Sequence, residues 1–133
     1  MVREIHHLGV AVDELEPAIA LWAGVFGAAV EHRGRVEDQG VEAASLQVGS
    51  GRVELLAPLG PDTPVGKFLA RRGPGMHHVA YEVDDLPGEL ARLQAAGAEL
   101  IDSAPRPGLF GMQVAFVHPD AAHGVLSELV ARG

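Results

Sequence analysis

The chain has 133 residues, the size of one domain, which can bury a hydrophobic core without a covalent staple. It has no cysteine, which excludes disulfides and cysteine-ligated zinc. Hydrophobic residues make up 47% and charged residues 21%, and a net charge of −8 argues against a nucleic-acid partner, which is held largely through Lys and Arg on phosphates.

In chain order, a strand pattern through His6-His7-Leu8-Gly9-Val10-Ala11-Val12 comes first. A helical pattern over 16–26 follows and ends at Gly27, a residue that often closes helices. Strands are expected near 29–36, 41–49 and 52–58, with Ser50-Gly51 as the tight turn between the last two. The stretch from Pro58 to Pro64 is rich in turn residues and precedes a short helix over about 65–72. Gly73-Pro74-Gly75 then breaks the chain. A second strand pattern, a helix over 87–96 ending at Gly97, and strands near 98–102, 112–118 and 124–131 complete it.

The two halves repeat. Residues 6–15, His-His-Leu-Gly-Val-Ala-Val-Asp-Glu-Leu, match residues 77–86, His-His-Val-Ala-Tyr-Glu-Val-Asp-Asp-Leu, at an offset of 71. The expected fold is therefore α+β, with two βαβββ modules at about 4–59 and 76–131 and a linker at about 60–75, all in one domain spanning 1–133. Neither half has much core of its own, so the two sheets are expected to curl into an incomplete barrel around a metal-binding cleft, with the helices outside.

Strand side chains alternate between faces. The aliphatic set Leu8, Val10 and Val12 must pack on a helix, which turns His7 toward the cleft with Gly9 and Ala11 beside it. In the repeat, His78 takes the same side with Ala80. The last strand of each half carries one carboxylate in an apolar run, Glu54 and Glu128, 74 residues apart. A Glu in a buried strand is costly unless paired or metal-bound. Two imidazoles and two carboxylates from matched positions make a mixed nitrogen and oxygen site. Such a site suits Co²⁺, Mn²⁺, Ni²⁺, Fe²⁺ or Zn²⁺ and, in octahedral geometry, leaves two positions open. His6 and His77 read as structural, His32 as solvated, and His118 and His123 as turn residues.

These segments resemble the methylmalonyl-CoA epimerases of the vicinal oxygen chelate superfamily, which includes glyoxalase I. The resemblance runs through Ile5-His6-His7-Leu8-Gly9-Val10-Ala11-Val12, Val53-Glu54-Leu55-Leu56-Ala57-Pro58-Leu59 and Thr63-Pro64-Val65-Gly66-Lys67-Phe68-Leu69. It continues in Gly75-Met76-His77-His78-Val79-Ala80, Val114-Ala115-Phe116-Val117-His118-Pro119 and Gly124-Val125-Leu126-Ser127-Glu128-Leu129. It implies His7, Glu54, His78 and Glu128 as ligands of a divalent ion, Co²⁺ first among the metals above. The implied activity inverts C2 of methylmalonyl-CoA by proton removal and return. Glu128 is the first choice as acid or base, Glu54 the counterpart on the other face, and Glu42 a third. Glu42 is the residue nearest to a glutamate that some epimerases carry on this strand, and lies one residue out of step with it. Asp120 after His118-Pro119, where many relatives have Lys, and Gly108-Leu109-Phe110-Gly111, where they have a Gly-Ala-His-Gly-like loop, also depart from the family. Lys67, Arg71, Arg72 and Arg106 are candidate contacts to coenzyme A phosphates.

The expected partners are an acyl-CoA and a second copy of the chain. No apolar run approaches the ~20 residues of a membrane span, and Met1-Val2-Arg3-Glu4 has no apolar signal-peptide stretch, so a cytoplasmic location is expected. Alternatives of the same fold are a glyoxalase I-like lyase acting on a glutathione hemithioacetal and a metal-free small-molecule resistance protein. A ring-cleaving dioxygenase fits less well, since such sites use two His and one carboxylate.

Overall fold

The computed structural model describes residues 1–132 and contains two compact units. One runs from His7 to His77; the other joins residues 1–6 to the chain from His78 onward. Each is α+β, and each repeats the order strand, helix, three strands.

In the first unit these are β1 (Val2–Ala11, shared with the other unit), α1 (Leu15–Phe26), β2 (Ala29–Val36), β3 (Val41–Val48) and β4 (Gly51–Pro58), followed by α2 (Pro64–Arg72). The sheet order is β2-β3-β4-β1, antiparallel except for the parallel β1–β4 pair. A parallel pair needs a long crossover, which α1, β2 and β3 supply. Leu15, Ala18, Ile19 and Trp22 recur at helical spacing and pack α1 on Ala44, Leu46, Val53, Leu55 and Ala57 of the sheet. α1 closes at Gly27 with φ of 65°, as its sequence requires. The β3–β4 hairpin turns at Gly49-Ser50, since Val48 pairs with Gly51 and Gly49 has φ of 61°. The expected turn at Ser50-Gly51 is thus shifted by one residue, because the position with positive φ is the first of the two and only glycine takes it cheaply. α2 begins at Pro64 behind Thr63, whose hydroxyl accepts the Gly66 N–H at 3.1 Å and donates to the Gly60 carbonyl at 2.7 Å. A Cβ at Gly66 would lie 2.5 Å from that carbonyl oxygen, so the turn closes only around glycine.

The second unit holds β5 (Gly75–Val83, whose first residues belong to the first unit), α3 (Leu86–Ala95), β6 (Arg106–Pro107), β7 (Met112–Val117) and β8 (Ser127–Arg132). Its order, β5-β8-β7-β6, has the same parallel outer pair and antiparallel remainder. Asp85 caps α3 by accepting the Gly88 N–H at 3.1 Å. Leu86, Leu90 and Leu93 then pack the helix on Ala115, Val117, Leu129 and Ala131.

Two expectations on the strands are corrected. Residues 98–102 are not a strand: Leu100 makes one isolated bridge to Val117, and pairing resumes only at Arg106 and Pro107. The Asp102 carboxylate accepts the Phe116 N–H at 2.9 Å, taking the place of a backbone acceptor, and Pro105 and Pro107 lack N–H donors. The last strand begins at Ser127 rather than near 124, because His123 and Gly124 both have positive φ. One boundary between the units falls within β1, between His6 and His7, and the other within β5, between His77 and His78. From Leu8 the strand pairs with β4, whereas Arg3 makes ion pairs with Glu82 and Asp84.

Candidate functional site

In the first unit, Gly9 of β1 lies opposite Glu54 of β4. His7, two residues earlier, shares that face. His7 Nε2 is 3.6 Å from Glu54 Oε2, and the residues are 4% and 6% exposed. In the second unit, Ala80 of β5 lies opposite Glu128 of β8, and His78 is again two residues earlier. His78 Nε2 is 3.3 Å from Glu128 Oε1, with the residues 4% and 5% exposed. Each unit thus makes the same buried pair from the same two strands, although sequence alone shows only matched positions. Gly9, Ala11 and Ala80 are buried on these faces and leave them shallow.

The donor set fits a divalent ion. Neighbouring ligand atoms about an ion bound at roughly 2.1 Å lie about 3.0–3.4 Å apart. The His78–Glu128 separation of 3.3 Å falls within that range, and the His7–Glu54 separation of 3.6 Å lies just outside it. A carboxylate this deeply buried beside an imidazole also needs a cation or proton to offset its lost hydration.

Glu42 falls elsewhere. On β3 it lies opposite Ala57 of β4 and Arg35 of β2, whereas Ser45 lies opposite Glu54. Being odd in number from Ser45, Glu42 faces the α1 side with Ala44 and Leu46. There it is 3.8 Å from Arg33, which also contacts Glu16 of α1. The structure therefore does not place Glu42 with Glu54.

The remaining expected residues are dispersed. His77 packs against Phe68 of α2, with ring centroids 5.0 Å apart. His32 is exposed. His118 opens a turn, its Nδ1 accepting the Asp120 N–H at 3.1 Å. His123 is an exposed turn residue. Lys67, Arg71 and Arg72 are exposed on α2, with the Arg72 guanidinium 5.8 Å from the Phe68 ring centre.

Sequence reading missed two groups that share the faces of the His–Glu pairs. On the first unit, a β-bulge between Val30 and His32 sets Glu31 beside Ser45. Glu31 accepts from Ser45 Oγ at 3.4 Å and from Arg52 Nε at 3.1 Å. On the second unit, Phe116 lies opposite Glu128, and its ring meets the His78 ring edge-on at 5.8 Å. Only the register of paired strands reveals either group. A Glu in a polar strand and a Phe in an apolar one give no local signal.

The family model of the Glyoxalase/Bleomycin resistance protein/Dioxygenase superfamily matches residues 6–116. The ethylmalonyl-CoA/methylmalonyl-CoA epimerase of Cereibacter sphaeroides is 36% identical over 131 residues, 97% of this chain and 98% of that one. A Bacillus subtilis protein named only as the uncharacterized protein YqjC is 38% identical over 128 residues, 96% of this chain and 91% of that one. A solved methylmalonyl-CoA epimerase in complex with methylmalonyl-CoA and NH4+ superposes with a TM-score of 0.96 at 33% identity, over 100% of this chain and 96% of that one. With the family model spanning most of the chain and relatives above 30% identity aligned nearly end to end, this chain belongs to the glyoxalase superfamily and, within it, to the methylmalonyl-CoA epimerase family.

Proposed function

We propose that the protein is a divalent-metal epimerase that interconverts the C2 epimers of methylmalonyl-CoA. The observation that carries this reading is the repeated buried pair, His7 with Glu54 and His78 with Glu128. The epimerase relative of Cereibacter sphaeroides and the methylmalonyl-CoA complex of a family member support the substrate.

His7, Glu54, His78 and Glu128 are proposed to hold one ion, with Co²⁺ the first expectation. When bound, the ion supplies positive charge where negative charge develops on the thioester oxygen. The chain's own residues then have to move one proton off C2 and return one on the opposite face. A carboxylate oxygen of Glu128 is proposed to do this on one face and a carboxylate oxygen of Glu54 on the other. Both carboxylates are buried, Glu54 at 6% and Glu128 at 5% exposure. Glu42, on the α1 side of its sheet, is left out of this assignment. The protein is further proposed to act as a homodimer in the cytoplasm. Among the described residues, no helix is long and apolar enough to cross a membrane.

The test is exchange of the C2 proton of methylmalonyl-CoA in D₂O, with EDTA-stripped protein and again after Co²⁺ is restored. Exchange should return with the metal and fall about 10²–10⁴-fold in Glu128→Gln, the usual loss on removing a general acid or base. A Glu128→Gln variant that keeps full turnover would sink the assignment of Glu128. Metal-loaded protein that is inactive on methylmalonyl-CoA but turns over methylglyoxal with glutathione would replace the epimerase by a glyoxalase I-like lyase.

A further inference from the structure

We propose that Arg106 is the receptor for an anionic group of the substrate, oriented by Asp102 and Phe116. This rests on the acyl-CoA reading above and adds to it a specificity residue and the chemistry that it recognises.

The placement follows from strand register. Arg106 lies opposite Val114, Val114 opposite Val130, and Phe116 opposite Glu128. Partners across a sheet and alternate residues along a strand share a face, so Arg106, Phe116 and Glu128 lie on one face of the second unit. β6 is only two residues long, and Pro105 and Pro107 flank Arg106 and restrict its backbone.

The side chain is held from two directions. Arg106 Nε is buried and lies 3.4 Å from Asp102 Oδ2, the same oxygen that accepts the Phe116 N–H at 2.9 Å. The guanidinium stacks over the Phe116 ring, 5.6 Å from its centre, and that ring in turn meets His78 edge-on. Asp102 thus faces Nε at ion-pair distance without a hydrogen bond, and Phe116 covers the flat face of the guanidinium. Among the described residues, nothing accepts a hydrogen bond from its terminal Nη groups, and the side chain is 33% exposed. An arginine fixed in this way presents a rigid pair of N–H donors, the geometry that matches a carboxylate or phosphate bidentately. A chain of net charge −8 does not draw anions in through its overall field, so recognition of one needs a local cation of this kind.

Methylmalonyl-CoA offers two kinds of anion, the acyl carboxylate and the coenzyme A phosphates. Methylmalonyl-pantetheine carries only the first and propionyl-CoA only the second. The metal-loaded protein is titrated calorimetrically with each, as wild type, Arg106→Met, Arg106→Lys and Asp102→Asn, and melting temperatures are recorded alongside. Arg106→Met should weaken binding of one probe at least tenfold and leave the other within about twofold, and the weakened probe identifies the anion. Arg106→Lys keeps the charge without the fork, so it should restore only part of that loss. It also carries the test if the Met variant does not fold. Asp102→Asn should raise KM several-fold with kcat nearly unchanged, as for a residue that only orients the receptor. Unchanged binding of both probes by the variants, or equal weakening of both, would overturn the proposal. Failure of wild-type protein to bind either probe would instead overturn the acyl-CoA reading, and this inference with it.

Discussion

Removing and restoring the metal gives the most direct measure of whether the two His–Glu pairs act together. A ligand that binds only the folded chain stabilises it by RT ln(1 + [L]/Kd), about 2.7 kcal/mol at a hundredfold excess over Kd. Unfolding entropy near 2.1 cal/mol/K per residue, over 133 residues, makes each kcal/mol worth about 3.6 °C. EDTA-stripped protein should therefore melt about 10 °C below protein with saturating Co²⁺. The shift is followed by circular dichroism or calorimetry, and stoichiometry by metal analysis. If one ion is shared by His7, Glu54, His78 and Glu128, His7→Gln and His78→Gln should each abolish most of the shift, with one ion bound per wild-type chain. Two ions per chain, or a variant at either histidine that keeps the full shift, would refute the shared site and leave two independent pairs.

Two further outcomes follow from the side-chain environments. Glu42→Gln should leave metal-dependent exchange at C2 within about twofold of wild type, because Glu42 lies on the α1 side of its sheet beside Arg33; a loss comparable to that of Glu128→Gln would show that the register argument misplaces it. Glu89, buried on α3, is hydrogen-bonded by Arg92 and by the Met1 amino group, and these bonds hold its carboxyl below the usual glutamate range. A lowered folded pKa means that its stabilisation is present above the unfolded value and is lost as pH falls through the folded one. Glu89→Gln should therefore melt below wild type at pH 7, and the gap should close as the pH is taken below 4; an equal gap at both ends would contradict the pairing.

The repeat, the helices and the four candidate ligands were legible in the sequence because each has a local signature. His7 and His78 are placed by alternation within one strand, and their Gly and Ala neighbours mark the face that needs room. α1 and α3 are placed by helical spacing and by Gly27 and Gly97 beyond their last turns. Burial of a Glu in each apolar strand signals a partner, though not its identity.

Other features depended on residues far apart in the chain. Glu42 is assigned to a face by its pairing with Ala57, and Glu31 by a bulge that no composition announces. The short β6, in place of a strand at 98–102, reflects an Asp102 side chain that reaches across to the Phe116 backbone. Beside this contact, Arg106 lies over the Phe116 ring and Phe116 meets the His78 ring. The sequence by itself determined which residue types recur and on which side of their own strand they stand. Tertiary structure decided which strands meet and in what register, because those hydrogen bonds join segments whose spacing along the chain carries no period.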